Sequence, residues 1–347
     1  MATETLTSLA NILRKRYARM VTDAVTLRGP GNYEADPLGL FRPSTLLDFL
    51  RANGRISVGG ALDAGDKIWP VRSAGGSASS YTAEEAIPNA TNDTYAQAEL
   101  AWKRNRITME FDNLALEVAR GEKVVGDVDA VMRSFENKMK ALLSAIEDQI
   151  AANGAGNDLE GFRSFLSDSA TYAGIDQSAN AYWQAAEVDG GAATLTRAMM
   201  NEVLRDMDTV GSHPTHILMG MTQAQKYAEL FTSGITYPGG ANGQSHVLPA
   251  YQGIPVVVIN TMNASGRGND EIWFVDVNDL FLEFVNFTGA PQAGIDASST
   301  QAYGMPIGID HEPTGKDKRL LVLKNYGRFG AMNPKKHGVL INLSTSF

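Results

Sequence analysis

The sequence contains no cysteine. That removes disulfide frameworks, thiolate metal sites and cysteine nucleophiles together. No apolar run approaches the roughly 20 residues needed to cross a bilayer, so no membrane span is expected. The first thirty residues also lack the apolar core and small-residue cleavage site of a secretory signal. Histidine is scarce, with five in the chain. His213 and His216 are three apart, but Pro214 keeps them off a common helical face, and His311-Glu312 lacks the second histidine of a zinc helix. A phosphate loop is missing: Gly308 to Gly315-Lys316 has the wrong spacing, and Asp317 stands where Ser or Thr is required. Gly29-Pro30-Gly31 and Gly266-Arg267-Gly268 do not complete a dinucleotide fingerprint. The sequence therefore offers no catalytic, cofactor-binding or metal-binding set, and the expectation is a non-enzyme with no cofactor.

Positive charge is in deficit too. Thirty Lys and Arg against 39 Asp and Glu give a net charge of −9, which argues against a surface that coats nucleic acid generally. The imbalance is uneven. Residues 1–30 hold five basic and two acidic groups, and residues 316–347 hold seven and one, so the middle is strongly acidic. Basic ends and an acidic middle suit contacts within one fold or between copies.

What is present concerns reach and association. Residues 6–20 read as an amphipathic helix through Leu6, Leu9, Leu13, Tyr17 and Met20, with Arg14, Lys15, Arg16 and Arg19 on its polar side. It is either a packing helix with a solvated basic face or an arm that grips a neighbour or an internal polyanion. Glycine- and proline-rich chain follows, then a short helix capped by Ser44 or Thr45 and carrying Leu46, Leu47, Phe49 and Leu50.

Lys67 to Arg106 alternates with period two at both ends around a tip, Ser73 to Ser80, made almost wholly of Ser, Gly and Ala. This is a long two-stranded excursion with too few apolar residues for a core of its own. At ~3.3 Å per residue each arm reaches about 50–65 Å, against a radius of gyration of ~20 Å for a body of this length. The excursion either lacks fixed structure or lies on another subunit. The second reading is preferred, because an isolated hairpin is marginal in water. Candidate inter-subunit residues are Trp69, Arg72, Tyr81, Glu84, Glu85, Trp102 and Arg104 on the excursion, and Lys335 and Lys336 in the basic C-terminal segment. Glu84 and Glu85, neighbours on a strand, point to opposite faces and are better placed to pair with an adjacent subunit than with each other.

Residues 107–118 begin as a strand. Asp127–Asn153 is the longest helix signal, with one stripe running from Val128 through Phe135 and Leu142 to Ile150. A polar, irregular stretch runs to Gly191. Helix then alternates with strand: helix 194–207, strand 216–219, helix 222–231, strand 253–260, then strands 271–277 and 281–287. Strands 319–326 and 338–344 end the chain and are expected to return to the sheet begun at 107–118. A partly parallel sheet is expected in the inserted block.

This order of parts resembles tailed-bacteriophage major capsid proteins of the Hong Kong 97 type. The resemblance is carried by the arm through Leu50, the hairpin Lys67–Arg106, the helix Asp127–Asn153, and the stretches DLEGFRSFLSD from Asp158, GIDQSANAYWQ from Gly174, TLTRAMMNEVLRDM from Thr194 and THILMG from Thr215. It implies an α+β capsid fold with an N-terminal arm (1–55), an extended loop (56–106), a peripheral domain (107–193 and 301–347) with a spine helix at 127–153, and an axial domain (194–300). By the same resemblance the chain builds hexamers and pentamers of an icosahedral shell around double-stranded DNA held without sequence specificity. The other implied partners are a portal protein, a separate scaffolding protein and a decoration protein. Assembly would take place in the host cytoplasm, with the product residing in the virion. Relatives that crosslink covalently use a lysine in the loop; the tip here has none, so a non-crosslinked shell without a long fused scaffolding segment is expected. An encapsulin-type compartment enclosing protein cargo is the alternative.

Overall fold

A computed structural model of the chain describes residues 46–60, 65–74, 93–112, 138, 141–154, 156–230, 250–285, 307–310 and 318–346. In chain order its strands are β1 (Ile56–Gly60), β2 (Lys67–Ala74), β3 (Thr94–Leu100), β4 (Lys103–Asp112), β5 (Thr171–Tyr172), β6 (Ile175–Asp176) and β7 (Ala186–Asp189). They continue with β8 (His216–Met219), β9 (Val256–Val258), β10 (Ile272–Val275), β11 (Leu280–Val285), β12 (Ile307–Asp310), β13 (Lys318–Ala331) and β14 (Gly338–Ile341). The helices used below are α1 (Leu46–Ala52), α2 (residues 141–151), α3 (Arg197–Thr209) and α4 (Met221–Glu229).

One sheet is organised by β13, whose 14 residues pair antiparallel with β4, β12 and β11, while β1 joins β11 in parallel. The other runs β7-β14-β10-β8-β9 and is mixed, with β7/β14 and β8/β9 parallel. Its strands are apolar on both faces because both are covered. Ile217, Met219, Ile272, Phe274 and Leu340 pack with Met200, Val203 and Met207 of α3 and Ala224 and Tyr227 of α4. Their alternates Leu218, Trp273, Val275 and Val339 point the other way, into a core shared with Leu282, Phe284, Phe329 and Ala331 of the first sheet.

Several expectations need correction. Residues 46–52 are not arm: α1 buries Leu46, Leu47, Phe49 and Leu50 in the shared core. β4 starts at Lys103 instead of 107. α3 starts at Arg197, with Thr196 as its cap accepting from Met199 N–H, and α4 is entered through Gly220 without the Thr222 cap. Helical residues 141–151 carry Leu142, Ile146 and Ile150 of the expected stripe; residues 127–137 lie outside the described residues.

The expected division of strands between domains also changes. β14 joins β7 and β10 in the second sheet, and β11 joins β13 in the first. Two of the chain's crossings between the sheets are short turns, Val277–Asp279 from β10 to β11 and Pro334–Lys336 from β13 to β14. Asp279 fastens the crossings together. Its backbone carbonyl accepts from Met332 N–H (3.1 Å) and its carboxylate from Asn333 N–H (2.7 Å), with Lys336 at 3.1 Å and the buried His337 ring at 3.3 Å. Periodicity reports which face of a strand is apolar, not which sheet it enters.

The stretch expected to be polar and irregular, 157–191, supplies the centre of the core. Phe162, Phe165, Tyr172 and Trp183 are fully buried, with Phe162 stacked on Trp273 at 4.8 Å and Tyr172 on Trp183 at 5.9 Å. Its elements are two to four residues long, too short to leave a period in the sequence.

Candidate assembly site at the hairpin root

β2 and β3 pair antiparallel from Lys67↔Leu100 to Ala74↔Thr94, as the alternation at Lys67–Arg106 predicts. One face holds Lys67, Trp69 and Val71 with Ala96, Ala98 and Leu100, and these are buried or half-buried. The opposite face carries Ile68, Pro70, Arg72, Tyr95, Gln97 and Glu99, all exposed. The inner face sits on its own chain. Trp69 Nε1–H donates to Met332 O at 2.9 Å, and its ring lies 6.3 Å from Phe281 and 6.4 Å from Trp183. Glu99 N–H donates to Ala173 O in the β5–β6 turn at 2.9 Å.

A charged latch closes the other side of the root. Glu283, a single acid in the apolar strand LFLEFV, is bonded by Lys67 Nζ and by Arg328 Nε (2.7 Å). Lys67 also stands 3.7 Å from the Phe281 ring, and the Arg328 guanidinium lies 4.0 Å over Trp102. Trp102 Nε1–H donates to Gly65 O at 2.9 Å. Burial acts to raise the Glu283 pKa, but hydrogen bonds and positive charge from Lys67 and Arg328 outweigh it, and the net direction is down.

A carboxyl lowered in this way adds stability that is complete above its ordinary value of 4.5 and is lost as pH falls through its folded value. Asp279 shifts in the same direction, whereas burial pushes Glu271 upward beside Trp273 and Arg163. Global stability therefore mixes both signs, and the root itself is the proper readout. Backbone hydrogen exchange in 67–74 and 94–100 is expected to accelerate as pH drops below about 4.5, beyond the intrinsic pH trend. In Glu283→Gln the acceleration should already be present at neutral pH; exchange that ignores both changes would remove the latch from the account.

The candidate residues separate clearly. Trp69, expected to be covered by another copy, is enclosed by its own chain, and Trp102 is held by Gly65 and Arg328. Arg72 pairs with Asp93 at 2.9 Å on the outer face, an exposed contact of small energetic weight. Arg104 lies over the ring of Tyr326 at 5.5 Å. Lys335 and Lys336 sit on the second crossing turn, Lys336 on Asp279. Tyr81, Glu84 and Glu85 lie outside the described residues. The sequence reading passed over Glu283, Met332 and Tyr172. Only Glu283 left a signal, since a lone acid within an apolar strand needs a partner.

Among the described residues no group of three or more His, Cys, Asp or Glu is placed to hold a metal, and no helix is long and apolar enough to cross a membrane. His213 is exposed beside Asp208, and His216 presents its ring to Phe49 edge-on at 5.3 Å.

The model of the SU10 major capsid protein family matches residues 79–306, well over half of the chain. The chain belongs to the SU10 major capsid protein family. It is a structural capsid protein and not an enzyme, and its place is the virion capsid. Solved capsids carry the same fold. The chain is similar to the capsid asymmetric unit of cyanophage A-1(L), at 16% identity and a TM-score of 0.63, covering 90% of this chain and 99% of that one. It is similar to the capsid of a native GTA particle at 13% identity and 0.55, covering 90% and 97%. A holo-SrpI encapsulin complex from Synechococcus elongatus matches less well, at 10% identity and 0.51, covering 86% and 89%. No curated protein sequence matches this capsid protein.

Proposed function

We propose that this capsid protein assembles as hexamers and pentamers into a closed icosahedral shell around double-stranded DNA, with the Hong Kong 97-type division of labour. In that reading the β13 sheet with α2 forms the peripheral body, the β7–β9 sheet with α3 and α4 forms the axial body, and residues before α1 serve as an arm. The observation that carries it is the hairpin, which buries one face on its own root and leaves the other open. Ile68 is 55% and Tyr95 63% exposed on that outer face, apolar area that a neighbouring copy would cover.

DNA is held without sequence specificity, and by family analogy a portal and a separate scaffolding protein join the particle assembled in the host cytoplasm. Lys67 is occupied by Glu283, which fits a shell that is not crosslinked through the loop.

Electron microscopy of the purified chain is expected to show closed shells. A variant with Gly75–Ser80 shortened to a tight turn should remain folded by circular dichroism yet assemble at least tenfold less, about 1.4 kcal/mol per contact step. Normal shells from that variant would defeat the proposal. Particles produced in the cell that hold one protein cargo and no nucleic acid would move it to the encapsulin reading.

A further inference from the structure

The face of the β13 sheet that turns away from α2 carries two arginines without ion-pair partners. β4 alternates strictly. Asn105 faces the helix and exchanges two amide hydrogen bonds with Gln149 at 2.9 and 3.1 Å, while Arg104, Arg106 and Thr108 stand exposed on the opposite face. In the ladder Arg104 is opposite Tyr326 and Arg106 opposite Lys324. Among the described residues neither arginine makes an ion pair; Arg104 has the Tyr326 ring at 5.5 Å, and the first acid on that face of β4 is Glu110. Other arginines are occupied: Arg72 by Asp93, Arg163 by Glu271, Arg267 by Asp148 and Arg328 by Glu283.

We infer that this face lines the interior of the shell and lies against the phosphates of the enclosed DNA, which turns the α2 side outward. The inference rests on the assembly reading above and adds which surface of the protomer faces inward. Two observations choose a polyanion over a second copy. The first is what the row lacks. Among the described residues the exposed large apolar side chains are Ile68, Tyr95, Val210 and Met221, and none of them is on β4 or β13. The buried centre of a protein interface is depleted in charge and rich in aromatics, whereas phosphate contact needs cations alone. The second is the charge of the whole chain. At a net −9 it repels phosphate over most of its surface, so close approach is confined to places where cations are left unpaired. Alternate residues on a strand stand ~6.6 Å apart, far enough for each planar guanidinium fork to take a phosphate of its own. Such contacts read no base, in keeping with DNA held without sequence specificity.

The test measures binding and assembly apart. The wild-type chain, kept below its assembly concentration, is expected to bind a short fluorescent DNA duplex at low salt. R104Q/R106Q should bind about tenfold more weakly, and the slope of log K against log salt should shrink by about 1.8, two contacts at ~0.9 each. R72Q/R205Q removes the same charge elsewhere and should bind as wild type does. Shells of R104Q/R106Q should form at wild-type yield, because the face touches no other copy. A wild-type chain that ignores the duplex, or equal binding by the two double variants, would overturn the inference. Loss of shells in a folded R104Q/R106Q would overturn it as well and make the face a seam between copies. A second measurement covers the case in which R104Q/R106Q fails to fold. The chain has no cysteine, so R106C introduces a single thiol. In intact empty shells a small maleimide should react with it, while a maleimide on a polyethylene glycol too large to cross the wall should not. Reaction with both reagents would place the face outside, reaction with neither would place it in a seam, and each result overturns the inference. Wild-type shells separate the two levels. If they form and the variants depart from these results, only the facing is wrong; if none form, the assembly reading falls and takes the facing with it.

Discussion

Trp69→Ala is expected to destabilise the protein by about 3–5 kcal/mol, the cost of removing a buried indole from a packed site. The ring contributes in three ways: it fills the space between Phe281 and Trp183, it satisfies the Met332 carbonyl, and it fixes β2 against the end of β13. Alanine leaves a cavity and an orphaned acceptor at once. The loss should be visible as a lower denaturant midpoint, with faster exchange concentrated in 94–100. Trp69→Phe, which keeps most of the area but not the donor, should cost less than half as much. A midpoint within the error of wild type for Trp69→Ala would show that the hairpin root stands by other means. Shell yield should fall along the same series, because a hairpin that pivots at its base no longer presents Ile68 and Tyr95 at a fixed angle.

The second large effect is expected at Gly330. The Tyr172 hydroxyl replaces a strand neighbour, accepting from Ala331 N–H at 2.8 Å and donating to Ala331 O at 2.7 Å. A Cβ on Gly330 would stand 2.2 Å from that oxygen. Gly330→Ala therefore drives Tyr172 outward and leaves two buried backbone groups unpaired, an expected loss of about 2–4 kcal/mol by thermal or denaturant unfolding. Tyr172→Phe alone gives up the same two bonds without the clash. Because both changes break one arrangement, the double variant should cost clearly less than the sum of the singles. Additive losses would mean that Gly330 and Tyr172 act separately. Burial pushes the Tyr172 pKa up, so the hydroxyl keeps its proton through the alkaline range in which the fold can be studied.

Much of this molecule can be read from its residues, and the unread part has physical causes. The β2/β3 pairing follows from alternation alone, and β8 was expected at 216–219, where it lies. The capsid resemblance rests on the order of parts, and solved shell proteins at 10–16% identity share the fold. Partner choice between strands is a different kind of information. β11 and β14 have the right length and apolarity for either sheet, and a turn of three residues after each preceding strand decides where they go. The root of the hairpin was partly hidden for a related reason. Trp69 and Trp102 are visible as aromatics, but Met332, Glu283 and Gly65 come from distant segments and carry no local pattern. Reach was legible, whereas the anchor was not.

The fastening at Asp279 has a mechanical consequence. The two short turns between the sheets, β10 to β11 and β13 to β14, are tied through one carboxylate, backed by a core in which the second sheet is covered on both faces. Sliding one sheet against the other would have to break Asn333, Lys336 and His337 from their common partner together. The two sheets therefore behave as one stiff plate, and a change in the curvature of a container built from it has to be absorbed outside that plate.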